Sequence, residues 1–407
     1  MKICIISTFL GQKTSGAEIS SFRLAEELSK KHDVFVITSK IKTKLSFKSY
    51  SLKAAAKFPD KLLMYGLGLT DFIMAGEISG IIKKEKSDII HVQDFSILPA
   101  AVSAAKKAGV PVVMTVRDYR FMCNLTSCFG KIAMPFSCSG KQYAQCLKES
   151  FEKVYGIKCI WPLFYPWLRG RSGRMRKIFR ELDGYFCVSD FVRKKVMGSG
   201  IPGERAKTIL VIRPKWDYAP PRAKEETRFF CGGLLTKTKG FQLAIEAFSA
   251  AAKKNGNIKL VIAGNGSYKK HLQDIARETG AGEKIEFLGG ISGDRMKEEY
   301  IKSDAVIVPS LWDEPLSRII FESFTAGRPV IAANTGGSGE LVKDGQTGWL
   351  VSHKSPDEMA EKILSVSLSR EKTAEMGEAA SFLIKQASNP ENIIAEHISF
   401  YKKISGS

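Results

Sequence analysis

Two acidic side chains in the C-terminal half of the chain have a spacing that assigns them separate chemical tasks. Glu314 and Glu322 enclose the run EPLSRIIFE. At about 100° per residue, one continuous helix would set them about 80° out of phase. Pro315 is typical of a first helical position, which predicts Glu314 at the helix cap and Glu322 two turns further along. Ionised carboxylates only accept hydrogen bonds, so this pair suits the hydroxyl groups of a ribose and a hexose.

A lysine at a predicted strand-to-helix junction adds a cation. Lys239 precedes Gly240 in the run CGGLLTKTKG. A cation is unfavourable at the positive end of a helix dipole unless an anion is present, so we predict that Lys239 contacts a diphosphate. Lys237 is a near-equivalent candidate, and a solvated lysine at a helix start would give the same local pattern.

Several glycines follow predicted strands, where bare backbone N–H groups can approach a ligand closely. Gly16 lies in a Ser-Gly-Ala turn before a predicted helix, whose positive end attracts phosphate. The run AGNG, with Gly264 and Asn265, follows the strand KLVI, and a Gly-Gly pair precedes Ile291. We expect main-chain groups there to pair with a nucleobase, although ordinary turn glycines would give the same pattern.

Length and charge set the outer limits. The chain of 407 residues is long enough for two or three domains, and 44% of its residues are hydrophobic. The net charge of +20 attracts phosphates, whether on a sugar nucleotide, a lipid head group or nucleic acid. No run approaches the roughly 18 uncharged apolar residues of a spanning helix, and the N-terminal MKICIIS is too short for a signal peptide. We therefore expect a cytoplasmic protein.

The eight cysteines form two groups, with Cys159 ambiguous. Cysteines in apolar strand-like runs are predicted to be small buried hydrophobic residues: Cys4, Cys187 and Cys231. Others cluster in one segment: Cys123, Cys128, Cys138 and Cys146. None of these forms a C-x-x-C pair, so free thiols are favoured over a zinc site or a disulfide.

Short apolar runs alternate with helical patterns in two successive halves, which is typical of an α/β protein. The alternation restarts at RFFCGG after a turn-rich stretch. We predict a Rossmann-like N-terminal domain at 1–212, a linker at 213–224 and a Rossmann-like C-terminal domain at 225–388. Helical spacing at 389–405 predicts a terminal helix, which either packs back on the first domain or is an ordinary chain end. Doubly wound domains in tandem would leave a cleft between the carboxyl ends of their strands.

The order of motifs in the second half resembles a known family. KGFQLAIEAF, LVIAGNG, FLGG, DAVIVPS, E-x7-E, AGRPVIA, TGG-x-x-E and DG-x-TGWLV follow one another, and SGAEISSFRLAEEL and TVRDY extend the similarity into the first half. This set resembles the retaining glycosyltransferases of family 4 (GT4), which have the GT-B fold of two Rossmann-like, doubly wound domains facing each other across a cleft. The resemblance implies a hexosyltransferase that uses a nucleotide-diphosphate sugar.

The resemblance also implies roles for individual residues. Lys239 would contact the donor diphosphate, Glu322 the ribose, and Glu314 the transferred sugar during catalysis. The backbone after Glu314 would bind the same sugar, at Pro315, Leu316 and Ser317. The first domain would bind the acceptor.

Two departures from the family pattern affect the predicted chemistry. Where the family has His-Asp after the TV strand, this chain has Arg117 and Asp118, which we assign to catalysis. Arginine stays protonated and cannot act as a base, but it can stabilise a leaving phosphate or bind an anionic acceptor. The usual Gly-Arg before the lysine is Gly-Gly here, so a phosphate contact is lost or is supplied by Lys237.

No metal or separate cofactor is expected, because no D-x-D triplet occurs in the chain. Lysine, helix dipoles and glycine amides would hold the diphosphate charge instead.

Two basic stretches in the first half indicate the acceptor. One contains lysines without an intervening acid: Lys40, Lys42, Lys44, Lys48, Lys53 and Lys57. The other, WPLFYPWLRGRSGRMRKIFR, joins aromatic residues to arginines. This combination suits a lipid-linked acceptor, or peripheral contact with the inner face of the cell membrane. A solvated basic face over an ordinary core explains the pattern equally well.

The predicted partners are thus a nucleotide sugar and a glycan or lipid-linked acceptor. The alternative is a catalytically silent protein that binds sugar nucleotides or glycans, motivated by Arg117 and by Gly233 in place of the usual arginine. Nucleic-acid binding is disfavoured, since no helix-turn-helix, RNP, KH or zinc-finger pattern accompanies the charge.

Overall fold

Two compact units make up the described chain. The computed structural model describes residues 1–11, 16–41, 45–56, 71–122, 161–216, 218–220 and 226–406. Unit 1 comprises Met1–Ile212 and Pro390–Ser407, and unit 2 comprises Arg213–Asn389.

Unit 1 is built on a parallel sheet. Its described strands are β1 (Lys2–Leu10), β2 (Asp33–Ile41), β3 (Lys48–Ser51), β4 (Ile89–Val92), β5 (Val112–Val116), β6 (Gly184–Cys187) and β7 (Ala206–Thr208). They lie in the order β3-β2-β1-β4-β5-β6-β7. The described helices before unit 2 are α1 (Gly16–Ser29), α2 (Lys53–Ala56), α3 (Asp71–Glu85), α4 (Leu98–Ala108), α5 (Trp161–Arg180) and α6 (Asp190–Gly198), with a 3-10 turn at Gly203–Arg205.

Unit 2 repeats the same winding. Its strands are β8 (Thr227–Gly232), β9 (Ile258–Ala263), β10 (Ile285–Gly289), β11 (Ala305–Val308), β12 (Val330–Ala333) and β13 (Gly348–Val351), in the order β10-β9-β8-β11-β12-β13. The helices are α7 (Phe241–Lys254), α8 (Lys269–Glu278), α9 (Asp294–Lys302), α10 (Arg318–Thr325), α11 (Ser338–Leu341), α12 (Pro356–Leu368) and α13 (Arg370–Ala387), with 3-10 turns at Lys237–Lys239 and Gly282–Lys284.

Both strand orders are those of a doubly wound Rossmann-like sheet. The central strands are short apolar runs, and β4, β11 and β12 are buried along their whole length. Such runs form strands because helices cover both faces of a parallel sheet, so that no face is left for water. The predicted fold class of two Rossmann-like α/β domains is confirmed.

The C-terminal helix, α14 (Pro390–Ser405), packs within unit 1. Its Ile393 and Tyr401 belong to the core of that unit. The Tyr401 hydroxyl lies 2.6 Å from Nδ1 of buried His91 in β4, and the His397 ring stacks on Phe186 of β6 at 4.4 Å. The last helix is therefore part of the core of the first half of the chain.

The predicted start of the helix after Glu314 is wrong. The helix α10 begins at Arg318, with Ser317 as its cap, rather than at Pro315. The carbonyl of a cap residue accepts the first bond of its helix. The Glu314 carbonyl instead accepts a 2.8 Å hydrogen bond from the Gly337 N–H, in the turn after β12. Glu322 consequently lies one turn inside the helix, not two.

Residues 213–220, predicted as part of a linker, group with unit 2. Arg328 is fully buried in unit 2, and its Nη1 donates a 2.7 Å hydrogen bond to the carbonyl of Ala219 in this segment. A buried guanidinium needs such acceptors, so this part of the chain is fixed to unit 2.

The prediction for the strand cysteines is confirmed, since Cys4, Cys187 and Cys231 are buried free thiols. Burial raises the pKa of Cys187 to about 12, which disfavours its thiolate. The cysteine cluster at 123–146 lies outside the described residues, as do Cys159, Lys42, Lys44 and Lys57. In the described part of the chain, every helix is too short or too polar to cross a bilayer.

The buried histidines of unit 1 make its stability depend on pH. Burial lowers the pKa of His397 to about 4. The unfolded chain would bind a proton near pH 6.5, so between about pH 6.5 and 4 it binds more protons than the folded state. We expect the free energy of unfolding of unit 1 to decrease as the pH is lowered through this window. At pH 4 the loss relative to neutral pH should be about 3 kcal/mol. Hydrogen–deuterium exchange of the β4 amides at pH 7 and pH 5 measures the change.

The matched variants are His397→Phe, which keeps an aromatic ring in the core, and His353→Gln, which changes an exposed histidine of unit 2. His397→Phe should reduce the pH dependence of unit 1, while His353→Gln should leave it as in the wild type. Equal pH dependence in all three proteins would contradict the assignment to His397.

Candidate functional site

The predicted donor residues lie where the strand order of unit 2 changes direction. The strands β8 and β11 are neighbours, and the chain continues outward from each of them on opposite sides. Ligands of doubly wound sheets bind at the carboxyl ends of such a pair of strands. Lys239 follows β8 and Glu314 follows β11. Lys239 Nζ lies 2.7 Å from Glu314 Oε1, so residues predicted from separate motifs form one ion pair.

Glu314 is fixed through both its side chain and its backbone. It is 4% exposed, and its carboxylate also accepts a hydrogen bond from Ser310 Oγ. Burying a carboxylate without partners costs roughly several kcal/mol. The contacts with Lys239 and Ser310 therefore determine the position of the Glu314 carboxylate. The Trp312 ring lies 5.8 Å from Lys239 Nζ and adds a cation–π contact to the pair.

Two glycines allow the neighbouring turns to reach this pair. Gly240 has φ +72, and a Cβ there would lie 1.8 Å from the Pro309 carbonyl oxygen. Gly336 has φ +56, and its Cβ would lie 2.1 Å from the Glu314 carbonyl oxygen. Both the left-handed backbone and the lack of space require glycine. The turns after β8 and β12 thereby pack against the segment that carries Glu314.

Glu322 occupies a second buried position, on α10. It is 3% exposed, as expected for a carboxylate among apolar neighbours that has particular partners. The Tyr300 hydroxyl donates a 2.8 Å hydrogen bond to Oε2, and Arg318 pairs with Oε1. Of the residues after Glu314, Pro315 and Ser317 are buried and Leu316 is half-buried.

The turns after β8, β9 and β10 meet at the same edge of the sheet. The Leu235 N–H donates a 3.0 Å hydrogen bond to the Asn265 carbonyl. A Cβ at Gly264 would lie 1.8 Å from the Gly233 carbonyl oxygen, and one at Gly290 would lie 2.6 Å from Asn265 Nδ2. Half-buried Ile291 follows. The residues predicted to bind a nucleobase are therefore close together.

The two candidate lysines share one 3-10 turn but differ in their surroundings. Lys237 is exposed, whereas Lys239 is half-buried and is the one that pairs with Glu314. In the described residues, no group of three or more His, Cys, Asp or Glu side chains could hold a metal ion. The expectation of a metal-free site stays a prediction.

Two of the three N-terminal candidates, Arg117 and Asp118, follow β5 and bind different partners. Arg117 Nη1 donates hydrogen bonds to Ser21 Oγ at 3.0 Å and to the Gln93 carbonyl at 3.2 Å. Asp118 instead pairs with Arg120, with 2.8 Å between Oδ2 and Nη2. Gly16 is the exposed first residue of α1, the helix that carries Ser21.

Arg117 remains a cation in this environment. Burial lowers its pKa to about 10, so it is protonated at neutral pH and cannot act as a base there. It borders a cavity of about 20 Å³ that His397 also lines, which is room for one water molecule. His91 does not replace the family histidine, because its ring nitrogens already bond to Tyr401 and Thr115.

Sequence reasoning missed three side chains at the donor residues. Ser310 ends the run DAVIVPS, and Tyr300 has the spacing of an ordinary core residue of a helix. Neither carries a local signal for its long-range partner. Arg318 does carry one, because an arginine four positions before a glutamate on a helix is typical of an ion pair.

A side chain at position 336 should destabilise unit 2. Gly336→Ala should lower the free energy of unfolding of unit 2 by at least about 3 kcal/mol, since it combines left-handed strain with a backbone clash. Gly345→Ala is the matched control, because Gly345 has φ +73 but nothing within 4 Å of its Cβ position. It should cost about 1 to 2 kcal/mol. Urea denaturation measures both, and equal losses would mean that the turn moves away freely.

Two family profiles match the chain in succession. "Glycosyltransferase Family 4" matches residues 14–210, and "Glycosyl transferases group 1" matches residues 213–381. Together they extend over most of unit 1 and unit 2.

Similar curated proteins match the chain in part. An uncharacterized glycosyltransferase of Methanocaldococcus jannaschii is 36% identical over 136 residues, which are 33% of this chain and 34% of that protein. The GDP-mannose-dependent alpha-(1-6)-phosphatidylinositol monomannoside mannosyltransferase of Mycobacterium tuberculosis is 28% identical over 225 residues, 50% of this chain and 58% of that protein. The chain thus spans less than two thirds of the length of either relative.

A solved structure shares the fold. Anabaena HepE in complex with UDP has a TM-score of 0.71, with 18% identity, and covers 98% of this chain and 100% of that one. HepE is also solved with UDP-glucose. The two successive family matches show that the N-terminal half of this chain belongs to Glycosyltransferase Family 4 and its C-terminal half to the Glycosyl transferases group 1.

Proposed function

We propose that this protein transfers a hexose, with retention of configuration, from a nucleotide-diphosphate sugar to a hydroxyl of a glycan or a lipid-linked glycan. The observation that carries the proposal is the Lys239–Glu314 pair at the carboxyl ends of β8 and β11, with buried Glu322 on the next helix. A cation and two acceptor-only carboxylates are what a diphosphate and two sugar diols require.

The proposed contacts follow from the free hydrogen-bonding capacity of each group. An ammonium has three N–H donors, so Lys239 can keep its bond to Glu314 and direct others to a phosphate. Each oxygen of the Glu322 carboxylate has a second lone pair for a ribose hydroxyl. Asn265 and Ile291 lie at the adjoining edge of the sheet and would pair with the base.

The transfer step needs little acid–base chemistry from the protein. The bond between the anomeric carbon and the phosphate oxygen breaks, and a bond to the acceptor oxygen forms on the same face. The acceptor proton passes to the leaving phosphate, so the atoms balance without a basic side chain. Lys239 and backbone amides would stabilise the phosphate charge without a metal, and Glu314 would orient the hexose.

The acceptor proposal is supported by the charge of unit 1. Arg117 is a permanent cation, and exposed basic side chains follow one another on the second half of α5: Arg174, Arg176, Lys177 and Arg180. Such a surface suits an acceptor with an anionic phosphate, held at the cytoplasmic face of a membrane. HepE binds UDP and UDP-glucose, and the mycobacterial relative is named for GDP-mannose, which makes uridine and guanosine donors the first to test.

The donor proposal predicts selective stabilisation. In a thermal-shift screen of UDP-, GDP- and ADP-sugars, one nucleotide class should raise the melting temperature, because a ligand that binds the folded state stabilises it by mass action. Glu322→Gln should raise the Kd of that nucleotide about tenfold or more, since a hydrogen bond to a charged group is lost. Isothermal calorimetry gives the Kd values.

Glu246→Gln is the control, because Glu246 is exposed on α7 and the substitution removes the same charge. It should bind as the wild type does. Absence of binding by any nucleotide sugar, or normal binding by Glu322→Gln, would contradict the donor proposal. Binding without transfer or hydrolysis would favour a catalytically silent protein.

The membrane proposal predicts salt-dependent binding to anionic vesicles. The full chain should sediment with phosphatidylglycerol vesicles at 50 mM salt and be released at high salt, because screening weakens surface charges. The double variant Arg174→Glu, Lys177→Glu should bind at least about tenfold more weakly, at about 1 kcal/mol for each basic residue lost. The control Lys253→Glu, Lys254→Glu makes the same charge change on exposed residues of unit 2. Equal losses in both variants would indicate a non-specific effect of net charge.

A further inference from the structure

The orientation of the Glu322 carboxylate is set by a residue from a different helix. The Tyr300 hydroxyl, on α9, donates its 2.8 Å hydrogen bond to Glu322 Oε2. Arg318 occupies Oε1 from the same helix as Glu322, and its side chain is 30% exposed. The buried hydroxyl is thus the inner partner of the carboxylate, and the partly exposed guanidinium is the outer one.

Tyr300 itself is held rigidly in the core of unit 2. Its exposed fraction is 0%. Its ring meets the Phe230 ring of β8 edge-on at 5.0 Å and lies 5.8 Å from the Trp216 ring. Burial and the neighbouring Glu322 raise the pKa of Tyr300 well above its usual value, so the hydroxyl keeps its proton and acts as a donor. The contacts of the ring with Phe230 and Trp216 fix the position from which the hydroxyl donates.

The support for Tyr300 continues into the segment at 213–220. Trp216 belongs to that segment, and Arg328 fixes it by donating to the Ala219 carbonyl at 2.7 Å. Nη2 of the same guanidinium donates to the Ile301 carbonyl at 2.8 Å, and Ile301 follows Tyr300 on α9. The buried Arg328 side chain therefore ties the segment that carries Trp216 to the end of the helix that carries Tyr300.

We propose that Tyr300 is the positioning residue of Glu322, with Trp216 as its packing support, and that the hydroxyl holds the carboxylate in the orientation that a ribose diol needs. This inference rests on the proposed function, because Glu322 is assigned to the ribose there. The terminal torsion of a glutamate is broad, so a carboxylate held by Arg318 alone has more than one orientation open to it. A bidentate contact with two vicinal hydroxyls requires one fixed plane, and Tyr300 selects it.

The substitution Tyr300→Phe tests this role, because it removes the hydroxyl and keeps the ring. The probes are UDP and GDP, each compared with its 2′,3′-dideoxy analogue, and the readout is the Kd from calorimetry on the full chain. We expect Tyr300→Phe to raise the Kd of the ribonucleotide about tenfold and to change that of the dideoxy analogue less than about twofold. The double variant Tyr300→Phe, Glu322→Gln should bind the ribonucleotide about as weakly as Glu322→Gln alone, since contacting residues are not additive.

Two further variants separate positioning from general stability. Tyr185→Phe is the matched control, because Tyr185 is fully buried in unit 1 and its hydroxyl donates to the Phe179 carbonyl at 2.5 Å. It should leave every Kd unchanged. Trp216→Leu keeps the hydroxyl and removes its support, and should cause a smaller loss that is again specific to the ribonucleotide.

The outcomes distinguish this inference from the proposed function. If the wild type binds ribonucleotides and dideoxy analogues equally, the assignment of Glu322 to the ribose is wrong, and so is the positioning role of Tyr300. A different result is that the wild type prefers ribonucleotides over dideoxy analogues while Tyr300→Phe and Trp216→Leu show the same preference. In that case only the positioning role of Tyr300 is wrong. If Tyr300→Phe weakens the binding of the ribonucleotide and of its dideoxy analogue by the same factor, Tyr300 has a structural role only.

Discussion

The burial of Glu314 is the constraint on which the candidate donor site depends. A carboxylate that is 4% exposed needs compensation, and the turn after β8 supplies it through Lys239. Its carbonyl binds the turn after β12 through the Gly337 N–H. The hydrogen bonds of Glu314 therefore bring the loops after β8, β11 and β12 together at the carboxyl edge of the sheet. The left-handed glycines at 240 and 336 follow from this requirement, because any side chain there would separate the loops.

Much of this arrangement can be predicted from the sequence, because its signals are local. Apolar runs such as DAVIVPS identify buried strands, and a lysine before Gly240 at a helix start predicts an anion site. The start of α10 could not be predicted in the same way. Pro315 suits a first helical residue locally, but the long-range bond from Gly337 to the Glu314 carbonyl delays the helix to Arg318. At the start of α10, a tertiary contact therefore overrides the local helix propensity.

Tyr300 shows the same limit in a different form. Its spacing on α9 is that of a core residue, and its ring does pack in the core. Only the fold brings its hydroxyl to Glu322, a residue 22 positions away on another helix. In unit 1, the replacement of a histidine by Arg117 is visible in the sequence, but its consequence is structural. Arg117 binds Ser21 and the Gln93 carbonyl, so the permanent cation is tied to α1 and to the end of β4.

The net charge of +20 does not by itself explain how a diphosphate would bind. Two cations at the donor residues have their own carboxylates, since Lys239 pairs with Glu314 and Arg318 pairs with Glu322, while Lys237 in the same 3-10 turn as Lys239 is exposed. A phosphate approaching this edge of unit 2 meets polar groups whose charges are largely compensated. Under the proposed function, affinity would come from oriented donors, namely the remaining N–H groups of Lys239 and the backbone of the glycine turns, together with the charge of Lys237. Further exposed basic side chains lie on α5, where long-range attraction would act on an anionic acceptor or surface.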